Sequence, residues 1–320
     1  MRPIEGAVPS KRRVGDDFDP KRARLRVSRV TSKDPSVSAS DTVACPCGDW
    51  TPRLDLGQIR SMADPTDVSF DLTGKVALVT GGSRGLGRAM CLAFAGHGAA
   101  VVVASRKIDA CVALAEEITA THGVEAIGVS CHVGRWSECD SLVDVAYQRF
   151  GKVDILVNNA GMSPLYDSLP EVTEDLFDKV IGVNLKGAFR LSSVIGTRMA
   201  AGDGGSIINV SSVAAVQPSP KEIAYGAAKA GLNNLTMGMA RCFGPTVRVN
   251  CIMPGPFLTD ISLAWDLEQF NDRARTAIPL QRGGEAQEIV GAALYLASSA
   301  SSYTTGAVIK IDGGIAYSPG

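Results

Sequence analysis

The stretch "YGAAK", residues 225–229, sets a phenol and an ammonium four positions apart with only glycine and alanine between them. On a helix, positions i and i+4 share a face, so Tyr225 and Lys229 would project together. Reduction of a ketone leaves an alkoxide that must receive a proton, and a phenol can donate one. A free phenol has a pKa of about 10, and a neighbouring ammonium stabilises its ionised form. Bringing it near neutrality needs on the order of 4 kcal/mol, which a partly desolvated charge pair can supply. Tyr225 is thus a candidate acid and Lys229 its tuning charge. The same spacing also describes a half-buried ring beside a solvated cation, so the rest of the chain has to decide.

A second cluster lies near the start of the patterned region. "TGGSRGLG", Thr80 to Gly87, follows an aliphatic run and opens directly into "LGRAMCLAFA". A strand, a glycine turn and a helix in that order let a pyrophosphate approach a helix N-terminus, where unpaired N–H groups and the dipole favour anions. Gly81, Ser83, Arg84, Gly85, Leu86 and Gly87 are the candidate cradle. About 20 residues on, where an Asp or Glu would bond the ribose hydroxyls of NAD, the chain reads "ASRK", with Ser105 and Arg106. A hydroxyl and two cations, Arg84 and Arg106, favour a 2′-phosphate, so NADP(H) is expected over NAD(H).

Short aliphatic runs that read as buried strands recur at 76–80, 100–105, 126–130, 154–158, 206–211, 247–252 and 307–312. Helical stretches fall near 86–97, 108–121, 136–150, 173–200, 224–242 and 285–298. Strands alternating with helices specify an α/β fold of Rossmann type, a doubly wound parallel seven-stranded sheet, with residues 67–320 as one domain. Residues 1–66 are rich in Arg, Pro, Ser and Asp without apolar periodicity, which predicts a disordered or artefactual extension; Met62 is a candidate natural start.

Composition narrows the function. The 320 residues are 45% hydrophobic with a net charge of −1, against the large basic excess of a nucleic-acid or membrane-surface binder. No apolar run reaches the ~18 residues of a membrane helix, and the first residues lack the hydrophobic stretch of a secretion signal, so a cytoplasmic protein is expected. Of eight cysteines, six (Cys91, Cys111, Cys131, Cys139, Cys242 and Cys251) read as core thiols. Cys45 and Cys47 lie close together, yet no second pair follows at zinc-ligand spacing, and no metal is expected.

The glycine spacing, "NNAG" at Asn158–Gly161, Asn184 in "VNLKG", Ser212 in "NVSS" thirteen residues before Tyr225, "PGPFLT" at 254–259 and the closing "IDGG" together resemble the short-chain dehydrogenase/reductase family. The resemblance runs from about Phe70 to Gly314. It implies Ser212 as the hydroxyl that orients the substrate carbonyl, Tyr225 as acid, Lys229 as tuning charge and Asn184 as the holder of a water beside the lysine. Ser211 lacks the matching spacing. The resemblance also implies that Asn159, Ala160 and Gly161 line the adenosine side, that Tyr225 and Lys229 border the nicotinamide ribose, and that Pro254, Gly255 and Thr259 border the nicotinamide. One departure is "CHVG", where relatives carry Asp–Val at the adenine edge; His132 and Val133 stand there, His132 either bonding adenine or remaining a surface imidazole.

The segment after Thr259 carries Ile261, Leu263, Trp265, Leu267 and Phe270, which reads as an apolar lid or a cover for the sheet edge. With Met162, Pro164 and Leu165 it predicts a small-to-medium apolar carbonyl or alcohol substrate. The resemblance is nearest to 3-oxoacyl reductases; a 3-oxoacyl-CoA or carrier-protein substrate is the alternative, although Asp203 lies where an acidic carrier would need a cation. A non-catalytic nucleotide-binding scaffold is the reading of another class, disfavoured by the presence of Ser212, Tyr225 and Lys229. The resemblance further implies a homotetramer built on the long helices.

Overall fold

The computed structural model describes residues 69–260, 262 and 266–316. The expectations for residues 1–66, for Cys45 and Cys47, and for Ile261, Leu263 and Trp265 lie outside them.

Every residue of β1 (Val76–Thr80) is buried. Alternate side chains of a strand point to opposite faces, so an uninterrupted apolar strand needs cover on both sides. Ala77 and Val79 enter one core with Val101 and Val103 of β2 (Ala100–Ser105), while Val76 and Leu78 enter the other with Val102 and Ala104. The first core is closed by α1 (Gly85–Gly96), α2 (Ile108–His122) and α8 (Val290–Ala297) through Phe94, Ile118 and Leu296. The second is closed by α3 (Trp136–Phe150), α5 (Gly187–Ala201) and α6 (Ile223–Phe243) through Leu142, Ile195 and Phe243.

With β3 (Ala126–Ser130), β4 (Ile155–Asn158), β5 (Gly205–Val210), β6 (Val247–Pro254) and β9 (Val308–Ile311), the strands form one parallel seven-stranded sheet ordered β3-β2-β1-β4-β5-β6-β9. The order reverses between β1 and β4, and such a switch point opens a crevice beyond the C-terminal strand ends. Thr80, Ser105, Asn158, Val210 and Pro254 end their strands at that edge.

Three departures from the sequence expectation have physical causes. Strand β4 begins at Ile155 because Asp154 is occupied in accepting the Val76 N–H at 2.8 Å and pairing with Lys75 and Lys152. The helix expected over 173–200 is two helices, α4 (Glu174–Ile181) and α5, joined by a π-helical turn over Gly182–Lys186. The helix expected over 285–298 opens with a 3-10 turn, Ala286–Ile289, before α8. Beyond the expected elements, β7 (Phe257–Leu258) pairs with β8 (Gly284–Glu285), and α7 (Leu267–Ala277) lies between them in sequence. Among the described residues no helix is long and apolar enough to cross a membrane.

Candidate active site

The glycine loop is shaped by backbone geometry that side chains would block. Gly81 has φ +62°, a conformation costly for residues with a Cβ. At Gly87 a Cβ would stand 2.2 Å from Gly81 O and 2.6 Å from Asn159 Nδ2, so only glycine lets α1 approach the loop. Gly85 opens the helix, and Leu86 packs toward the first core. The N-cap residue Arg84 is extended, no side chain caps the helix and no acid lies in its first turn. Those N–H groups and the helix dipole are therefore free for a pyrophosphate, and the loop fits a dinucleotide.

At the end of β2, Ser83 Oγ donates to Ser105 Oγ at 2.9 Å, and Ser105 Oγ lies 3.0 Å from Cys111 Sγ. Arg84 and Arg106 are exposed and, among the described residues, pair with no carboxylate. Two hydroxyls and two unpaired cations thus stand on neighbouring segments. At the next strand end, Val133 is buried, whereas His132 is half-buried with Nδ1 accepting the Gly134 N–H at 3.2 Å. The imidazole is folded onto its own turn, leaving only Nε2 to face outward.

The Asn159 side chain differs in role from the adenosine lining that the resemblance implied. Its Nδ2 donates to Thr80 O at 2.9 Å and Gly81 O at 3.2 Å, so it braces the glycine loop from β4. Thr80 completes the brace: its Oγ1 accepts the N–H groups of Asn159 at 3.0 Å and Ala160 at 3.1 Å. Sequence reading passed over Thr80, and the signal was a hydroxyl ending an otherwise aliphatic strand. At Gly161, which is exposed, a Cβ would meet Asn184 Oδ1 at 3.0 Å and Lys229 Nζ at 3.6 Å.

Asn184, Ser212, Tyr225 and Lys229 converge on this point. Asn184 is 1% exposed within the π turn; its Nδ2 donates to Met162 O at 2.8 Å and Val180 O at 2.9 Å, and its Oδ1 accepts the Met162 N–H at 3.1 Å. A π turn widens the helix locally and is a frequent mark of functional positions. Ser212 Oγ accepts the Ala214 N–H at 3.1 Å, and its hydroxyl lies close enough to the Tyr225 phenol to lower the phenol's pKa. Ser211 faces the other way, buried, and donates to Lys229 O at 3.2 Å.

The charge arrangement departs from the expected one. Lys229 is 3% exposed and donates from Nζ to Val210 O at 2.8 Å, with Nζ 5.7 Å from the Tyr225 ring centroid. The ammonium is held by a strand carbonyl beside the phenol ring. Burial pushes the Tyr225 phenol up to about 12, against a lowering by the Ser212 hydroxyl and with a further rise from Glu222. Burial likewise lowers the Lys229 ammonium to about 8, with Cys251 acting in the opposite direction. Desolvation is the largest cause for both groups.

The far wall comes from β6. Pro254 is its buried last residue, in register with Ile311, and Gly255 donates to Ile311 O at 2.9 Å. Thr259 is fixed by Ser262, which donates to its carbonyl at 2.7 Å, and the Thr259 side chain comes within 3.5 Å of a Cβ built on Gly85. Both walls of the crevice therefore meet there. In the segment read as a lid, Phe270 packs near Gly283 and Leu267 stays 45% exposed; Leu165, in the loop after β4, is 69% exposed.

A family model described as enoyl-(acyl carrier protein) reductase matches residues 81–316. The chain is 38% identical over 252 residues to a short chain dehydrogenase/reductase, astE, from Aspergillus oryzae, covering 77% of this chain and 96% of the relative. It is 38% identical to an L-rhamnose 1-dehydrogenase (NAD(P)(+)) from Azotobacter vinelandii, covering 76% and 97%. Among solved structures it resembles an NADPH-dependent 3-quinuclidinone reductase from Rhodotorula rubra, with a TM-score of 0.76 and 29% identity over 81% of this chain and 98% of the other.

Proposed function

Because this chain belongs to the short-chain dehydrogenase/reductase family, we propose that it is an NADP(H)-dependent oxidoreductase that interconverts a ketone and a secondary alcohol on a small-to-medium substrate of largely apolar body. The observation that carries the reading is the Tyr225 ring 5.7 Å from the Nζ of buried Lys229, with the Ser212 hydroxyl acting on its phenol, at the C-terminal edge of the sheet beside the switch between β1 and β4. The glycine loop and α1 N-terminus would hold the pyrophosphate, and Thr259 the carboxamide edge. When bound, the nicotinamide supplies or accepts hydride.

The chain's own residues do the rest. Ser212 donates to the carbonyl oxygen and orients it. Tyr225 passes its hydroxyl proton to that oxygen as charge develops, and takes it back in alcohol oxidation. Lys229 would return the proton to the phenol, drawing on a water that Asn184 would hold beside it; Asn184 Oδ1 and Lys229 Nζ both lie within 3.6 Å of a Cβ built on Gly161.

Ser105, Arg84 and Arg106 support NADP(H), and the NADPH named for the quinuclidinone reductase agrees with it. In a panel of ketones and alcohols tested with both cofactors, NADPH is expected to give the higher kcat/KM. Replacing Arg84 and Arg106 together by Gln is expected to raise KM for NADPH at least about tenfold while moving that for NADH little. Equal effects on both cofactors would remove the 2′-phosphate assignment.

The sequence resemblance to 3-oxoacyl reductases supports one second reading, a 3-oxoacyl thioester on CoA or a carrier protein, with which the family model's description shares only the acyl thioester; acetoacetyl-CoA in the same panel separates the two. The exposed apolar side chains Phe189 on α5 and Met237 on α6 support a homotetramer. Light scattering that returns the mass of a single 33.4 kDa chain would remove that assembly.

A further inference from the structure

Cys111 is a fully buried thiol that the hydride chemistry does not use. It lies in the first turn of α2, its N–H donating to Lys107 O at 3.2 Å, and its Sγ stands 3.0 Å from Ser105 Oγ at the end of β2. Ser105 Oγ also accepts the Ser83 hydroxyl of the glycine loop at 2.9 Å. Three segments, the loop, the strand end and the helix start, therefore meet on one hydroxyl. It is the hydroxyl to which the NADP(H) reading assigns the 2′-phosphate, together with Arg84 and Arg106.

A serine hydroxyl has one hydrogen and two lone pairs, and Ser83 fills one of the lone pairs of Ser105. The Cys111 thiol is sealed from solvent at 0% exposure. Among the described residues its near acceptors are Ser105 Oγ at 3.0 Å and Ser105 O at 4.0 Å. Sulfur is itself a weak acceptor, so the thiol hydrogen goes to the nearer oxygen, Ser105 Oγ. Both lone pairs of that hydroxyl are then filled, and its own hydrogen is its one remaining capacity. In the protein alone this hydrogen faces Lys107 O at 3.5 Å, too long for a strong bond. A phosphate oxygen only accepts, which matches a hydroxyl that can only donate. A ribose 2′-hydroxyl brings a hydrogen of its own and finds no lone pair on Ser105 to receive it.

Resting on the NADP(H) reading above, we propose that Cys111 is a positioning residue for cofactor choice: by filling the last lone pair of Ser105, its thiol makes that hydroxyl a dedicated donor, suited to a 2′-phosphate and unsuited to a free 2′-hydroxyl. Arg84 and Arg106 attract the phosphate by charge, and the thiol adds discrimination by hydrogen-bond direction.

The test measures, by calorimetric titration at pH 8, the dissociation constants of 2′,5′-ADP and 5′-AMP, which differ only in the 2′-phosphate. At that pH the phosphate is fully ionised and purely an acceptor. The parent is expected to favour 2′,5′-ADP by at least about tenfold. Cys111→Ala and Cys111→Val both remove the thiol hydrogen, valine while filling the space. Each is expected to cut the ratio about fivefold, through weaker binding of 2′,5′-ADP. Cys111→Ser keeps a donor in place and is expected to hold the ratio within about twofold of the parent's. If the alanine variant does not fold, the valine and serine variants carry the comparison alone. A merely structural thiol would weaken both ligands alike and leave their ratio unmoved. An unmoved ratio without the thiol hydrogen, or a serine variant that falls with the others, overturns the proposal, while the parent's preference leaves the NADP(H) reading standing. A parent that binds the two ligands equally overturns both.

Discussion

Tyr225→Phe is expected to lower kcat for ketone reduction about a thousandfold while leaving NADPH affinity within a few fold. The phenol oxygen is the group the Ser212 hydroxyl acts on, and the substituted ring keeps its place beside the Lys229 side chain. A positioned general acid contributes 10²- to 10⁴-fold, so a loss near the middle of that span corresponds to about 4 kcal/mol of transition-state stabilisation. The pH dependence has a definite sign. With the phenol pushed up to about 12, Tyr225 stays protonated through neutral pH, so reduction is not expected to fall with pH from loss of its acid. Alcohol oxidation needs the ionised phenol and is expected to rise steadily with pH. Initial rates in both directions from pH 6 to 10, for parent and variant, check this; turnover unchanged in the Phe variant would sink the assignment of Tyr225.

The comparison between pattern and structure separates two kinds of information. Aliphatic runs bounded by polar residues mark all seven strands of the main sheet to within two residues, because the central strands are buried on both faces and stay largely apolar. The family resemblance grouped Asn184, Ser212, Tyr225 and Lys229, and they come together because each stands after a strand end or on a helix at the same edge. The π turn at Gly182–Lys186 was not legible: "VIGVNLKGAF" carries an unbroken helical pattern, and only tertiary bonds from Asn184 to Met162 and Val180 mark the bulge. Side-chain direction was equally hidden. Asn159 was read as a cofactor contact and braces Thr80 and Gly81, because a residue's place in a motif does not say which of two adjacent polar surfaces its amide will reach.

The buried polar pairing across the second core also escaped notice. Asn158 and Asn209 are register partners on β4 and β5, and Asn158 Nδ2 donates to Asn209 Oδ1 and to Ser192 Oγ, both at 2.9 Å. Asn209 in turn donates to Thr236 Oγ1 at 2.9 Å, seven positions along α6 from Lys229. The signal was present as asparagine at the ends of two aliphatic strands, but their pairing follows only from sheet order. This ladder fixes α6 against the sheet, and a helix so fixed can hold Tyr225 and Lys229 within hydrogen-bond tolerance of the crevice.

Lys229→Met is expected to lose at least about a hundredfold in kcat without losing thermal stability at pH 7. The ammonium is 3% exposed, and burial lowers it to about 8 from an ordinary value of 10.5. Below pH 8 it is charged in both the folded and unfolded chain, and the folded state bears the full cost of burying that charge, about 3 kcal/mol. Between about 8 and 10.5 only the unfolded chain retains the proton, so stability rises with pH across that window and the cost vanishes at its upper end. Methionine fills a similar volume without charge. It forfeits the bond to Val210 O, worth about 1–3 kcal/mol once the stranded carbonyl is counted, so the two changes offset or favour the variant at neutral pH. The melting temperature of Lys229→Met at pH 7 is therefore expected to equal or exceed the parent's, and the difference is expected to move toward the parent as pH approaches 10. A large destabilisation at pH 7, or a difference independent of pH, would mean that Lys229 is chiefly a structural brace for β5. Loss of turnover with retained stability instead marks a charge kept in the core at a cost in folding free energy, which is the expected signature of a group held for its chemistry.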